Sequence, residues 1–233
     1  MKQAMIFAAG LGTRLKPLTD TMPKALVRVG GQPLIWHVIQ KLKSSGYERI
    51  VVNVHHFADQ IVTYLEENHN FGLDIRISDE TSALLETGGG IKKALPLFDA
   101  NEPILIHNVD ILSNLDLEAL PIDAPLLVVS ERQTKRYLMF DDEMRLHGWT
   151  NIETGLVKGE KADKLLAFSG IHVFHPSLVP LLDEWPDRFP IMDFYLKACG
   201  THLICGYEAK DLRLLDVGKL DTLDNAEKFI KSL

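Results

Sequence analysis

The chain has 233 residues, 46% of them hydrophobic and 24% charged, which is the composition of an ordinary globular protein. Its formal net charge of −7 argues against non-specific binding of nucleic acid, and no run approaches the ~20 apolar residues that a membrane-spanning helix needs. The N-terminus lacks the regions of a signal peptide, so we expect one cytoplasmic domain over residues 1–233 that binds neither nucleic acid nor membrane.

Predicted strands and helices alternate through the first half of the chain. Their order is a strand at residues 5–9, a helix at 33–45, a strand at 49–54, a helix at 58–68, a strand at 73–78, a helix at 87–97, and strands at 103–108 and 126–130. This alternation is typical of an α/β fold in which helices cover both faces of a doubly wound, mostly parallel sheet.

The pattern changes beyond residue 130, where helical periodicity weakens. We predict strands at 137–140, 145–149 and 166–174, helices at 178–185 and 192–198, strands at 203–207 and 212–216, and a final helix at 220–230. Residues 131–175 are therefore expected to form a small accessory β region over the pocket, within the same domain.

The strongest functional signal lies in residues 6–29, where an apolar strand runs into a glycine-rich turn. Gly10 and Gly12 allow backbone N–H groups to approach an anion closely, and Arg14 and Lys24 carry charges that neutralise phosphate oxygens. A dinucleotide-binding fingerprint would need a third glycine where Leu15 stands, which argues against a nicotinamide dehydrogenase. A Walker loop is excluded because no Gly-Lys-Ser/Thr follows.

Three further stretches follow predicted strands, at the end of the sheet where open α/β folds bind ligands. Residues 85–91 contain three glycines whose backbone could read a base edge, with a glycine-rich helix start as the alternative. Asp110 follows an apolar strand and is either a Mg²⁺ ligand or a turn residue. Asp216 also ends a strand, and it is either a second ligand or the N-cap of the final helix.

Neither the cysteines nor the histidines predict a metal or redox site. Cys199 and Cys205 are too few for a disulfide framework, and we expect both to be reduced core residues. The nine histidines lack the spacing of zinc ligands, and strand alternation would place the neighbours His55 and His56 on opposite faces.

These motifs together resemble those of the sugar-1-phosphate nucleotidyltransferases. In the family order, the chain carries the Gly10 loop, Pro23-Lys24, Thr87-Gly88-Gly89, Asp110, Ser169-Gly170-Ile171 and Asp216-Val217-Gly218. The resemblance implies a Rossmann-like fold and a reaction of a nucleoside triphosphate with a sugar 1-phosphate, which gives a nucleotide sugar and pyrophosphate. It also implies Mg²⁺ as the cofactor.

The same resemblance assigns roles to individual positions. The expected catalytic residues are Arg14, Lys24 and Asp110, and the expected Mg²⁺ ligands are Asp110 and Asp216. The expected nucleotide contacts are Ala8, Gly10, Gly12, Thr13, Arg14, Glu86, Thr87, Gly88 and Asn108. The expected contacts with the sugar phosphate are Lys24, Leu138 and Gly170.

The substrate is the least constrained part of the prediction. Residues 85–91 resemble the version found in uridylyltransferases that use N-acetylmuramate 1-phosphate in cell-wall sugar recycling. Guanylyltransferases for mannose 1-phosphate or heptose 1-phosphate are the alternatives. Val109 and Leu138 stand where the family usually has glycine, and valine resists positive φ. Val109 is the one feature in favour of a different class of protein, a non-catalytic nucleotide-sugar binding module.

Overall fold

In the computed structural model, which describes residues 1–233 apart from the side chain of residue 224, strands and helices alternate through the first half of the chain. The strands are β1 (Lys2–Phe7), β2 (Arg28–Val29), β3 (Gln32–Pro33), β4 (Tyr47–Val54), β5 (Asp74–Asp79), β6 (Ile104–Asn108), β7 (Ile111–Ser113), β8 (Leu126–Ser130), β9 (Arg136–Phe140), β10 (Leu146–Asn151), β11 (Leu156–Gly159), β12 (Lys164–Phe174), β13 (Cys205–Glu208) and β14 (Leu214–Asp216). The α-helices are α1 (Leu34–Ser44), α2 (Ala58–Glu67), α3 (Glu86–Ala94), α4 (Ile191–Ala198) and α5 (Leu220–Ile230).

The central sheet has the strand order β5-β4-β1-β6-β12-β8-β13. The first four of these strands are parallel to one another, β12 is antiparallel to both of its neighbours, and β13 is parallel to β8. The predicted Rossmann-like, mostly parallel α/β sheet is confirmed. Because β1, β4, β5 and β6 are parallel, the loops that follow them emerge at one edge.

The accessory β region extends from the long strand β12. The first residues of β12, Lys164 to Leu166, pair with β9, whereas its last residues pair with β6 and β8. β9, β10 and β11 continue outward as antiparallel neighbours. Both β9 and the strands of the central sheet pair with β12, so this strand joins the accessory strands to the central sheet. The pairing of β12 with β8 has a register irregularity between Phe168 and His172.

Two hydrophobic cores lie on the two faces of the central sheet, as a doubly wound fold requires. One core contains the buried stripe that the sequence predicts on α1, namely Leu34, Ile35, Val38, Ile39 and Leu42. The other core contains residues of α3 and α4, including Ile91 and the fully buried Phe194 and Tyr195. Both faces of the sheet are therefore removed from water.

Some predicted elements differ from the structure. The α-helix predicted at residues 178–185 is wrong, because Pro176–Glu184 forms 3₁₀ turns, and Pro180 inside it supplies no backbone N–H for an α-helical bond. The short strands β2, β3, β7 and β11 were not predicted. Cys199 and Cys205 are free thiols as expected, but each is half-buried rather than in a core. Burial raises the pKa of both thiols.

Among the described residues, no helix is both long enough and apolar enough to cross a membrane.

Candidate active site

A cavity of about 580 Å³ opens where β1, β4 and β6 end, at the edge of the sheet that the sequence predicts. The residues that line it are Phe7 to Arg14, Lys24, Asn53, Glu80, Leu84, Glu86, Thr87, Asn108 to Asp110, Pro190 and Gly218. Two segments contribute to this lining: the loop wall, residues 8–14, and the helix wall, residues 84–90 at the start of α3. The predicted nucleotide contacts that lie in the lining are Ala8, Gly10, Gly12, Thr13, Arg14, Glu86, Thr87 and Asn108.

The conformation of the loop wall depends on Gly12. This residue has φ +62°, a left-handed conformation that residues with a Cβ rarely adopt. Its carbonyl accepts hydrogen bonds from Leu15 N–H and Thr19 Oγ1, both at 2.9 Å. At Gly10, by contrast, no atom lies within 4 Å of the position that a Cβ would take. The backbone of Gly10 is therefore open to close approach by a phosphate.

Lys24 and Asp110 form an ion pair inside the cavity, between Lys24 Nζ and Asp110 Oδ2. Their side chains are 11% and 19% exposed, so water screens the pair only weakly. Lys24 begins a short 3₁₀ turn directly after Pro23, and Asp110 follows β6. The structure therefore brings together two of the three predicted catalytic residues.

Asp216 reaches the same place from the end of the chain. β14 pairs antiparallel with β7, which places Asp216 opposite Ile111, and Val217 N–H donates to the carbonyl of Asp110 at 2.9 Å. Asp216 itself is not in the lining, but Gly218 beside it is. The alternative role of Asp216 as the N-cap of the final helix is excluded, because Lys219 occupies that position.

Arg14, the third predicted catalytic residue, lies beside Asp216. A Cβ at Gly218 would lie 2.7 Å from Asp216 Oδ1 and 3.0 Å from Arg14 Nη2, so the glycine leaves room for both side chains. Desolvation and, second, the nearby Asp110 carboxylate raise the pKa of Asp216, whereas the Lys24 and Arg14 cations lower it. Two carboxylates and two cations therefore act on one another at this end of the cavity.

The donor set at this point suits a hard divalent cation. Mg²⁺ in nucleotide enzymes takes oxygen ligands, typically one or two carboxylates together with substrate phosphates. Asp110 and Asp216 could supply the two carboxylates. Within the described residues, no three His, Cys, Asp or Glu side chains are grouped so as to hold a metal. An ion at this site would therefore depend on oxygens from the substrate.

The helix wall presents Glu86 and Thr87 to the cavity. Glu86 has φ +62°, which is unusual for a residue with a Cβ, and its Oε1 accepts from Arg188 Nε at 3.1 Å. Thr87 Oγ1 accepts from Ile191 N–H at 2.9 Å. Glu86 thus contacts the loop that precedes α4, and Thr87 contacts the first residue of α4 itself.

Gly88 does not line the cavity, so the structure does not support its predicted contact with the nucleotide. Its N–H and that of Gly89 donate to the carbonyl of Phe189, at 2.8 and 3.2 Å. A Cβ at Gly88 would lie 2.2 Å from the Phe189 ring, and one at Gly89 would lie 2.0 Å from the carbonyl oxygen of Asp187. These glycines let the loop before α4 pack against α3, so protein rather than ligand occupies the space that they leave.

The two predicted sugar contacts beyond Lys24 also lie outside the cavity lining. Leu138 is 1% exposed and packs in the core shared with α3 and α4, because its strand β9 turns this side chain inward. Gly170 has φ +78°, and a Cβ there would lie 2.8 Å from Asn108 Nδ2. Gly170 therefore makes room for Asn108, which does line the cavity.

The substitution of valine at position 109 does not disturb the turn before Asp110. Val109 is buried, its φ is not positive, and its N–H donates to the carbonyl of Phe7 at 3.2 Å. The turn accepts a side chain here because it uses ordinary backbone conformations. The one feature in favour of a non-catalytic module thus loses its physical basis.

The sequence analysis does not single out two polar residues of the lining, Asn53 and Glu80. Asn53 is the last residue but one of the apolar strand β4, and Glu80 directly follows β5; both are buried and joined by a hydrogen bond of 2.8 Å. A polar residue at the carboxyl end of a buried strand was the available signal for Asn53, whereas Glu80 resembles an ordinary turn residue.

Residues 3–124 match the nucleotidyl transferase family. The chain is 33% identical over 222 residues to N-acetylmuramate alpha-1-phosphate uridylyltransferase from Caulobacter vibrioides, covering 91% of this chain and 90% of that protein. It is 45% identical over 118 residues to the protein of the same name from Neisseria meningitidis serogroup B, which covers 50% of each chain.

Solved structures show the same fold at low sequence identity. HddC from Yersinia pseudotuberculosis, complexed with GMP-PN, has a TM-score of 0.77 at 22% identity, covering 99% of this chain and 100% of that chain. A putative glucose-1-phosphate thymidylyltransferase from Bacillus anthracis has a TM-score of 0.81 at 16% identity, covering 100% and 96%. The chain belongs to the nucleotidyl transferase family, and its predicted membership of the sugar-1-phosphate nucleotidyltransferases is confirmed.

Proposed function

We propose that this protein joins UTP to N-acetylmuramate 1-phosphate, with UDP-N-acetylmuramate and pyrophosphate as products. The main support for this reaction is that Arg14, Lys24, Asp110 and Asp216 lie close together at one end of the cavity. Similarity to the Caulobacter vibrioides uridylyltransferase along nearly its whole length supports the choice of substrates. Mannose-1-phosphate and heptose-1-phosphate guanylyltransferases remain the competing assignments within the family.

The chemistry needs charge neutralisation rather than a general base. A phosphate oxygen of the sugar 1-phosphate, already anionic, attacks the α-phosphorus of UTP in line, and the bond from that phosphorus to the bridging oxygen of the β-phosphate breaks. Pyrophosphate leaves with the electron pair of that bond. In such reactions the protein contributes mainly positioning and electrostatic stabilisation of the transition state.

Each charged side chain has a place in this reaction. Lys24 would lie between the attacking and the attacked phosphates, and Arg14 with the N–H groups of the loop wall would hold the leaving pyrophosphate. Asp110 and Asp216 would hold Mg²⁺, which would supply positive charge to the α-phosphate. The ion pair between Lys24 and Asp110 supports this arrangement, because it keeps the cation at the point where phosphates would meet.

The contact of Glu86 with Arg188 favours uridine. A free carboxylate beside the base could accept hydrogen bonds from the N–H groups of guanine, which would favour GTP. In the structure Arg188 Nε donates to Glu86 Oε1 at 3.1 Å, which partly neutralises the carboxylate and leaves fewer acceptor sites for the two N–H groups of guanine. Uracil has only one N–H donor on its pairing edge, so it needs fewer acceptor sites from the same carboxylate.

The test is pyrophosphate release with Mg²⁺ across UTP, GTP, CTP and ATP, each with N-acetylmuramate, mannose, heptose and glucose 1-phosphates. The expected result is the highest kcat/KM for UTP with N-acetylmuramate 1-phosphate. A preference for GTP of more than about tenfold in kcat/KM, which corresponds to ~1.4 kcal/mol of discrimination, would contradict the assignment of uracil as the base. If the protein binds nucleotides but releases no pyrophosphate with any pair of substrates, the result would support the alternative of a non-catalytic binding module. Asp110→Asn protein, purified in parallel, controls for contaminating activity.

A further inference from the structure

Asn53 ties the loop wall to the strand beside it. The residue is 3% exposed and stands at the end of β4, next to β1 in the sheet. Its Oδ1 accepts hydrogen bonds from Ala8 N–H at 2.7 Å and from Ala9 N–H at 3.3 Å. Two backbone groups of the loop wall therefore depend on one side-chain oxygen for their hydrogen bonds.

Glu80 connects Asn53 to the helix wall. Its carboxylate is fully buried; Oε1 accepts from Asn53 Nδ2 at 2.8 Å, and Oε2 accepts from Leu85 N–H at 3.2 Å. The backbone of Glu80 is held as well, because its N–H donates to the Val54 carbonyl at 2.8 Å. A continuous chain of hydrogen bonds thus runs from the loop wall through Asn53 and Glu80 to the turn before α3.

The chain of hydrogen bonds has only one chemically complete arrangement. Ala8 and Ala9 present donors, so the side-chain atom of Asn53 that faces them must be its oxygen. Its nitrogen then faces Glu80, which must accept from both Asn53 and Leu85. Removal of one partner leaves a buried polar group without a hydrogen bond, which is unfavourable inside a protein. The chemistry of the pair, more than its shape, therefore determines where the loop backbone lies.

Gly90 shows that the fold keeps space for this pair. A Cβ at Gly90 would lie 2.9 Å from Glu80 Oε1 and 3.3 Å from Asn53 Nδ2. The third glycine of the helix wall is thus packed against the carboxylate and the amide. Two different elements, α3 and β4, meet at the same hydrogen bond.

We propose that Asn53 and Glu80 are positioning residues for nucleotidyl transfer, which hold the backbone of the loop wall in register with the helix wall. The proposal rests on the proposed function, because it assigns the loop wall to the triphosphate and the helix wall to the base. If the two walls shift relative to one another, the α-phosphorus moves relative to Lys24 and Asp110. Misplacement of the reacting groups by ~1 Å can lower the rate about 100-fold, so kcat should respond to this pair.

Exchange of the two chemical groups tests the proposal. Asn53→Asp keeps the oxygen that faces Ala8 and Ala9 but sets two buried carboxylates against each other. Glu80→Gln alone offers one oxygen where two donors, Asn53 Nδ2 and Leu85 N–H, need acceptors. The double variant Asn53→Asp/Glu80→Gln satisfies every partner again, because the introduced amide donates to position 53 and accepts from Leu85.

Gln3→Glu is the matched control. Gln3 is a buried amide at the opposite end of β1, 2% exposed, and its Nε2 donates to the carbonyls of Asp99 and Glu102 at 2.9 and 3.0 Å. Its Oε1 accepts from Asp99 N–H at 2.9 Å. The substitution places a carboxylate in a buried network of the same kind, but away from the cavity. It therefore separates loss of stability from loss of positioning.

We expect Asn53→Asp and Glu80→Gln each to lower kcat about 10- to 100-fold at a temperature where the protein is folded, and the double variant to return kcat to within about fivefold of wild type. Gln3→Glu should lower the melting temperature and leave kcat within about twofold. If Asn53→Asp does not fold, Glu80→Gln against the double variant gives the same comparison.

The proposal is overturned if kcat is unchanged in the single variants. It is also overturned if the fold-loss of kcat in the double variant equals the product of the two single losses. A loss of kcat in Gln3→Glu that matches that of Asn53→Asp overturns it too, because the effect would then be one of stability alone. Failure of the proposed function is distinguishable, since wild-type protein would then prefer another substrate pair or release no pyrophosphate at all, whereas the variants are compared on whichever pair the wild type turns over.

Discussion

The loop wall and the helix wall both contain runs of glycine, and the glycines do opposite things. Around Gly10 the space for a Cβ is empty, and the backbone faces the cavity. At Gly88 and Gly89 the same space is filled by the Phe189 ring and the Asp187 carbonyl. Gly10 precedes the 3₁₀ turn at Thr13–Leu15, and Gly88 and Gly89 lie in the first turn of α3. Both groups therefore stand at the start of a helical segment, and local sequence does not show what fills the space beside them. A run of glycines indicates that another group packs closely against the backbone. Only the tertiary structure shows whether that group belongs to a ligand or to the protein itself.

This contrast assigns the chemistry to one wall. Arg14, Lys24, Asp110 and Asp216 all lie on the side of the loop wall, whereas the helix wall presents Glu86 and Thr87 and is otherwise held by the loop before α4. Substitutions near the loop wall should therefore lower activity with little effect on folding. Substitutions of the packed glycines should do the reverse.

The largest effect is expected at the two carboxylates. Asp110→Asn and Asp216→Asn should each lower kcat about 1000-fold, and the double variant should be scarcely worse, because residues that act as a unit are not additive. Asp221→Asn, in the first turn of α5, is the control and should keep its activity. Pyrophosphate release at saturating substrate measures all four variants. Multiplication of the two single losses in the double variant would show that the carboxylates act separately.

The next effect concerns Lys24. Lys24→Ala should lower kcat by about two to three decades, since one preorganised cation facing developing charge is lost. Lys16→Ala is matched to it in charge, but Lys16 is 60% exposed and paired with Asp20 at the surface, so its activity should hold. Wild-type turnover in Lys24→Ala at saturating substrate would show that its pair with Asp110 is structural only.

Alanine at the two kinds of glycine tests the contrast directly. Gly88→Ala should lower the free energy of unfolding by about 1–3 kcal/mol, because its Cβ would overlap the buried Phe189 ring. Gly10→Ala should leave stability within about 0.5 kcal/mol, since no atom lies near its Cβ, but it should lower kcat/KM by intruding on the cavity. Urea denaturation and pyrophosphate release measure the two properties.

The same test has an internal check. If the Phe189 ring is what Gly88→Ala displaces, adding Phe189→Leu should recover part of the lost stability. Equal destabilisation by Gly10→Ala and Gly88→Ala would remove the distinction between the two walls.

The smallest effect is a pH dependence at Asp216. Its pKa is raised in the folded protein, so the folded state binds the proton more tightly than the unfolded chain, and the ionised form costs stability above the unfolded pKa of ~4. Asp216→Asn should therefore raise the melting temperature at pH 7 by about 1–3 °C, and this gain should vanish as the pH falls below ~4. Melting curves without metal or nucleotide measure it. A gain that persists at low pH would have another cause.

Much of the reactive side could be predicted from sequence because each of its residues carries its own local signal. Asp110 follows β6, one of the parallel strands whose ends meet at one edge of the sheet. Asp216 also ends an apolar strand, but that strand, β14, reaches the site through its antiparallel pairing with β7 outside the central sheet. The roles of Gly88 and Leu138 could not be predicted in this way. They depend on partners distant in sequence: the Phe189 ring for Gly88, and the turn of β9 into a core for Leu138.

Two other failures have different physical causes. Residues 178–185 have a helical pattern of apolar residues, but Pro180 removes a backbone donor and the segment becomes 3₁₀. The pair of Asn53 and Glu80 was missed because buried polar residues are recognised by their partners. Glu80 alone resembles an ordinary turn residue, and Asn53 alone is a single polar residue near the end of an apolar strand.

The pairing of β14 with β7 means that the order of synthesis matters. Arg14, Lys24 and Asp110 leave the ribosome early, whereas Asp216 follows only after the accessory sheet and α4 have been made. The hydrogen bond from Val217 to the carbonyl of Asp110 then closes a very long loop of chain, which is a slow, late event in folding. We expect a nascent chain to carry the nucleotide-binding loop without the second carboxylate, and so to remain inactive until its last strand has docked.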